Sequence, residues 1–414
     1  MKQARLFSLF LSLCLTFSFL PGSALAAPME MPTPIWTSGD PLIPAIKTYG
    51  ENLTDVTDAW CADAVKTVYE AGLMEGKTST RFDISSSLTN AQIVVIAARL
   101  HSLLRDGDGT FPPPSEGESW YRPALNYLLA ESETPAYLVE KLSVRTDDSL
   151  ANEPCSRKNF VHVIASVQIE ESYPREVLNP TVVPPDTRDE AVVAFYQAGI
   201  LTGSDLYGTF GESDLLTRGA AATILARYVA PLQRERFSLL PFDLCRDVLG
   251  VEPDTVLLTV NGKDIPAALF AEQLCTSLYQ WEGNGPNAKK DAIRFWCQYQ
   301  GGFRVLAKDL GIFLSPEETA DIQKSAEEND GYLGLPAAYW QFREEGTLLN
   351  LTLRNYYYQY DHKTGESSYH SVLEQTAAQM IRTAVPTEAF ESMDLSAVYQ
   401  RLMKSPFVQW QFQT

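Results

Sequence analysis

Residues 64–76 read AVKTVYEAGLMEG and residues 191–203 read AVVAFYQAGILTG, two strings with alanine, valine, tyrosine and glycine at matching places. Each leads to a phenylalanine, Phe82 or Phe210, and then to a second apolar run, LTNAQIVVIAARL at 88–100 or LTRGAAATILARY at 216–228. In the first copy Ala64, Val65, Val68, Tyr69 and Leu73 recur at three and four and make one apolar helix face. Gly72 supplies a left-handed stop, Gly76 a second turn, and Phe82 a plug for the gap. Thr89 or Thr217 then caps a return helix whose Ile93, Ile96, Ala97 and Leu100 pack back on the first. One such hairpin is too small to hold a core; several stacked together bury one.

Proline-rich breaks bound the copies. They fall between Pro28 and Pro44, at FPPPSE (111–116), at YPREVLNPTVVPPD (173–186), and at Pro231 and Pro241. Three units of similar size lie between them: 53–101, a divergent 117–168, and 184–230. Residues 27–52 and 231–253 read as linkers, and 254–404 as a further helical domain. With 414 residues the chain exceeds what one core usually holds.

The first residues have another character. Lys2 and Arg5 precede an apolar run from Leu6 to Leu20, followed by Ala24-Leu25-Ala26, the pattern of a signal peptide over 1–26 cut after Ala26. No other segment approaches the length of a membrane span, so the expectation is a secreted protein with no span after cleavage. Loss of Lys2 and Arg5 takes the formal charge from −19 to −21, which repels nucleic acid phosphates and disfavours them as partners. Five cysteines remain, with no C-x-x-C. Cys275 and Cys297 fall on neighbouring expected helices, either as thiols or as one bridge.

The repeated units resemble S-layer homology (SLH) repeats, helix-loop-helix modules that come in threes and anchor exported bacterial proteins to pyruvylated secondary cell-wall polysaccharide. The residues that carry the resemblance are LTDVTDAW with Trp60, the glycine-ended AGLMEG and AGILTG, Phe82 and Phe210, and LLTRGA; unit two contributes WYRPALNYLLAE with Trp120 and CSRKNFVHVIASV. It implies a bundle of three repeats and a polymer site formed by Trp60, Gly76, Trp120, Ser156, Arg157, Gly203, Thr217 and Arg218. A planar, permanently charged guanidinium suits a carboxylate, and Arg157 and Arg218 stand at the family's arginine position whereas unit one has Asn90. The glutamate that follows in the family is here Gln92, Asn159 and Ala220. For Trp60 and Trp120, core packing and sugar stacking both remain open.

In the last third, TVLLTVNGKDIPAALFAEQL has a short apolar strand, an Asn261-Gly262 hairpin turn, a return at Ile265 and Pro266 at a helix start. Helices are expected over 288–310 with a stop at Gly311, after Ser315 with a full capping box to Glu318, and near 336–360, 366–383 and 395–404. VNGKDI with AKDLGIFLSPEE resembles the N-terminal chaperone region of SurA-type foldases. That resemblance implies a cradle for unfolded client polypeptide without the relatives' isomerase domain. Trp296, Tyr339, Trp340, Tyr356, Tyr357 and Tyr360 are its candidate peptide-binding residues, with a helix carrying tyrosines on core and solvent faces as the alternative. The expected fold class is mainly α: a three-repeat SLH bundle, then a helical chaperone-like domain with a short β-hairpin.

No catalytic constellation, metal motif or phosphate-cradling loop is present; RDGDGT fails as a calcium loop at Phe111 and Gly117. The expectation is a non-catalytic, cofactor-free protein of the cell envelope, anchored through its repeats and binding clients through its C-terminal half. The alternative is a structural envelope protein with degenerate repeats and a protein-interaction domain.

Overall fold

The return helices of the bundle begin where the sequence supplies hydroxyl caps. The structure, a computed structural model, describes residues 41–50, 52–131, 136–144, 148–167, 177–360 and 365–408, apart from the side chains of 360 and 365–367. The expected signal peptide lies outside these residues, as do all but the last part of the first linker. Helix α1 (Ala62–Glu70) and α2 (Asn90–Leu104) form the first hairpin. The second comprises α3 (Arg122–Glu131), α4 (Tyr137–Ser143), α5 (Ser149–Asn152) and α6 (Arg157–Ser166), and the third α7 (Glu190–Gln197) and α8 (Arg218–Val229). The divergent unit is thus no simple hairpin: Leu138, Val139 and Leu142 of PAYLVEKL are buried as an inserted helix.

The return helices start alike. Thr89, Ser156 and Thr217 each accept from the amide three residues on, at 3.4, 3.2 and 3.3 Å. Gln92 also reaches back to the Thr89 amide at 3.1 Å and completes a capping box, a bond that Ala220 lacks the side chain to make. The stops of α1 and α7 are left-handed glycines, Gly72 (φ 74°) and Gly199 (φ 74°). Leu73 N then bonds Val68 O and Ile200 N bonds Phe195 O, the closure that such a glycine permits.

The three hairpins close around a cyclic set of main-chain bonds. Leu88 N donates to Leu216 O at 2.9 Å, Leu216 N to Cys155 O at 2.9 Å, and Cys155 N to Leu88 O at 2.8 Å. A second cycle surrounds it: Asn90 N to Glu153 O, Arg157 N to Asp214 O, and Arg218 N to Ser86 O. Leu88, Cys155 and Leu216 are fully buried, where each unmade bond would cost about 1–3 kcal/mol. One apolar core runs through all three hairpins and includes Val68, Phe82, Leu125, Phe160, Phe195, Phe210 and Leu225.

Residues 231–253, expected as a linker, form a strap. Glu235 N donates to Gly199 O, Phe237 N to Asn179 Oδ1 and Leu240 N to Leu206 O, at 3.0 Å each. Pro231 follows the end of α8, but Phe237 and Leu239 beyond it are apolar and pack on the bundle. A π-helical turn, Leu244–Leu249, follows.

The C-terminal half opens with β1 (Val256–Val260) and β2 (Lys263–Pro266), joined by Asn261 (φ 51°) and Gly262 (φ 72°). Helices α9 (Ala267–Gln280), α10 (Gly285–Trp296), α11 (Gly302–Asp309), α12 (Pro316–Glu328), α13 (Ala337–Tyr360) and α14 (Gly365–Thr383) follow. Then come β3 (Val385–Pro386), α15 (Glu388–Glu391) and α16 (Leu395–Leu402). The expected hairpin is in fact a three-stranded antiparallel sheet, order β2-β1-β3, because Leu258 and Thr259 also pair with Pro386 and Val385. The helix expected over 288–310 is broken by a π-helical turn, Cys297–Gly301. A Cβ on Gly301 would stand 2.5 Å from Met380 Cε and 2.8 Å from Trp296 Cζ3, so α14 packs closely on the break. The molecule is mainly α, as its sequence pattern predicts. The five described cysteines are free and buried, so Cys275 and Cys297 are thiols.

Candidate functional site

Each hairpin is led by a short segment that lies beside a neighbouring return helix. This creates three seams of unequal character. The first joins the lead of hairpin one to the start of α8, the second the lead of hairpin two to α2, and the third the lead of hairpin three to α6.

In the first seam Trp60 is 72% exposed. It stands against the start of α8, where a Cβ on Gly219 would lie 3.4 Å from Trp60 Cζ2 and 3.2 Å from Cys61 Sγ. The glycine therefore leaves room for one edge of the indole beside the helix. Arg218, one residue earlier, does not project from the seam as the sequence reading expects. It is 7% exposed, its Nε donates to Phe82 O at 2.8 Å, its Nη2 to Glu75 O at 2.5 Å, and its guanidinium lies 4.7 Å from the Phe82 ring centroid. Burial pulls its pKa down, while Asp83 and Asp55 oppose that. The side chain thus ties the glycine-ended loop of hairpin one to hairpin three, because two carbonyls exposed by the turns at Glu75 and Phe82 need donors.

Asp55 completes that loop by accepting from the amides of Phe82, Asp83 and Ile84 at 2.8, 2.6 and 3.4 Å. Burial alone would raise its pKa, but the amide donors outweigh it and hold the carboxyl below its ordinary value. In hairpin three Asp186 takes the same place, accepting from Phe210 N at 2.9 Å and Gly211 N at 2.8 Å. It is more deeply buried, and there burial wins and its pKa rises. The sequence reading missed both aspartates, although each stands in the lead segment of a repeated unit.

In the second seam Trp120 is 55% exposed. Both tryptophans are surface groups, which decides against core packing. Asn90, at the arginine position, donates from Nδ2 to Leu150 O at 2.9 Å and so copies the inward bond of Arg218 without its charge. Its Oδ1 has no partner among the described residues. An open cavity of about 390 Å³ lies beside Trp120, walled by Phe111, Pro112, Pro113, Arg99, Lys47 and Glu75.

The third seam has no tryptophan. Beside Asp186 stands Thr187, 2% exposed, whose hydroxyl donates to Glu212 Oε1 at 2.8 Å. Lys158 pairs with the other Glu212 oxygen at 2.6 Å. Arg157 lies over the Phe210 ring at 5.4 Å, as Arg218 does over Phe82, but its buried Nε has no partner among the described residues.

The other expected site residues are architectural. Ser156 and Thr217 hydroxyls serve their helix ends. Gly76 and Gly203 allow close approach of their own loops, since a Cβ would lie 2.5 Å from Thr78 O and 2.4 Å from Gly208 Cα. In the C-terminal half Trp296, Tyr339 and Trp340 are buried core groups and offer no surface to a peptide. Trp296 Nε1 donates to Leu269 O at 3.2 Å, and the Tyr339 hydroxyl donates to Glu272. Their spacing on the helices is that of a core face, which burial shows and a list of aromatics does not. Tyr356 and Tyr357 are half-buried, 5.5 Å apart and edge to face, with Tyr357 packed 5.8 Å from Tyr369. The Tyr360 side chain lies outside the described residues.

The sequence model of the S-layer homology domain matches residues 52–93, the stretch that holds Asp55, Trp60, Phe82 and the α2 cap. The chain therefore carries an S-layer homology domain, and that domain indicates a bacterial protein associated with the cell surface or wall. Domains of this family bind cell-wall polymers. No curated protein and no solved structure matches the chain. Among the described residues no helix is long and apolar enough to cross a membrane.

Proposed function

We propose that the chain is a secreted, non-catalytic envelope protein held to pyruvylated secondary wall polysaccharide mainly through its first seam. All three hairpins belong, on this reading, to the S-layer homology type. The observation that carries the reading is Trp60, a largely exposed indole inside the matched domain with one edge beside Gly219 of the third hairpin. An exposed aromatic face stacks on the apolar face of a sugar ring. Arg218 acts as a positioning residue: it holds the rim loop from Glu75 to Phe82 and keeps a positive charge under it. Binding to wall sacculi before and after extraction of the polymer tests this. Trp60→Ala should bind at least about tenfold more weakly with an unchanged fold, and equal retention by both kinds of sacculi would defeat the reading.

The C-terminal half we read as a protein-interaction module of chaperone-like kind. Its remaining support is Tyr358, exposed at the surface beside the half-buried Tyr356 and Tyr357. Full-length chain with Tyr356→Ala and Tyr358→Ala should suppress aggregation of a denatured test protein less than the parent does. Equal suppression would favour the structural alternative.

A further inference from the structure

The C-terminal half holds two Asn-Gly pairs, Asn261–Gly262 and Asn284–Gly285, and the fold treats them differently. In such a pair the glycine nitrogen attacks the asparagine side-chain carbonyl readily, because no Cβ hinders its approach. Ring closure needs an attacking N–H free of an acceptor, a side chain free to turn and a backbone free to follow it.

Asn284–Gly285 is locked. Asn284 Oδ1 accepts from Asn287 N at 3.4 Å and caps α10, whose first turn contains Gly285. A Cβ on Gly285 would stand 3.1 Å from Leu395 Cδ1, so α16 packs closely against the pair. To react, the side chain must leave its cap and the first turn must unwind.

Asn261–Gly262 is open. It forms the tip of the β1–β2 hairpin, both residues are exposed, and a Cβ on Gly262 would meet nothing within 4 Å. The Gly262 amide donates to no acceptor among the described residues. What restrains the pair is Thr383 at the end of α14. The Asn261 amide donates to Thr383 Oγ1 at 3.1 Å, and the Thr383 hydroxyl donates to Asn261 Oδ1 at 2.6 Å, its one hydrogen shared with Met380 O at 2.9 Å.

We propose that Asn261 is a site of spontaneous side-chain amide loss, with Thr383 as the restraint that sets its pace. The Gly262 nitrogen loses its proton and bonds to Asn261 Cγ. The bond from Cγ to Nδ2 breaks, and Nδ2 departs with a proton as ammonia. Water then opens the ring at either carbonyl and leaves aspartate or isoaspartate, with no change of oxidation state. Each conversion adds one negative charge. Isoaspartate also lengthens the main chain inside a two-residue turn, which disturbs the pairing of Val260 with Lys263 and the bonds to Thr383.

The test incubates the full chain at mildly alkaline pH and follows both asparagines by peptide mass spectrometry, with chromatography to separate aspartate from isoaspartate. In the folded chain Asn261 should convert at least about tenfold faster than Asn284, which must first give up its cap. In denaturing urea the two rates should converge. Thr383→Val, at an exposed position, should speed conversion of Asn261 about fivefold, the worth of one ordinary hydrogen bond, and leave Asn284 unchanged. No conversion of Asn261, or a folded-chain rate no higher than that of Asn284, overturns the site. Conversion no faster in Thr383→Val than in the parent overturns the restraint.

Discussion

The first and third seams place an arginine at the same step of the same helix start and use it differently. Arg218 satisfies two carbonyls of the neighbouring loop and covers Phe82. Arg157 covers Phe210 yet keeps an unpartnered Nε, and the loop beneath it is held by the Lys158–Glu212–Thr187 set instead. One seam ends in an exposed indole; in the other Arg188 lies 4.7 Å from the ring centroid of Tyr332. Equivalent positions in a repeat share backbone geometry; what the side chain does there is set by which carbonyls lack donors and by what lies on top.

Substitution separates the two. Arg218→Ala strands two carbonyls and should cost about 3 kcal/mol or more, read as the shift in a urea unfolding midpoint. A loss below about 1 kcal/mol would mean water replaces the guanidinium easily. Asp55→Asn comes next, at about 2 kcal/mol near neutral pH, since one amide oxygen cannot serve the donors of a carboxylate. Its pH dependence has a definite sign. The folded pKa of Asp55 is lowered, so its contribution is full above the ordinary value of 3.8 and is lost as pH falls through the folded value. Asp186, with a raised folded pKa, works the other way, its penalty relieved as pH falls through that raised value. Asp55→Asn should therefore flatten the acid limb of stability, and Asp186→Asn should not. Arg157→Ala follows at about 1 kcal/mol, the worth of a cation over a ring; a loss equal to that of Arg218→Ala would erase the distinction between the seams. Trp60→Ala should shift stability least, by about 0.5 kcal/mol or less, while removing most sacculus binding.

Much of the bundle is legible in the sequence because its determinants are local. Gly72 and Gly199 stop helices through their own φ, and Thr89, Ser156 and Thr217 start them through their own hydroxyls. Ser315 and Glu318 form their capping box for the same reason. What escaped is set by partners far along the chain. Arg218 turns inward to carbonyls 136 and 143 residues away. Arg188 meets the ring of the distant Tyr332, and β3 exists only because Val385 finds β1. Residues 231–253 have the prolines of a linker, but their amides find Gly199, Asn179 and Leu206. Trp296, Tyr339 and Trp340 are aromatic enough for a binding surface and are spent on the core instead.

The ring of bonds among Leu88, Cys155 and Leu216 has a bearing on how such a bundle tolerates change. Each hairpin gives a hydrogen to one neighbour and takes one from the other, so no two of them complete the circuit without the third. Because every participating atom is peptide, the circuit is blind to side-chain identity. A seam can exchange arginine for asparagine while the architecture around it stays shut.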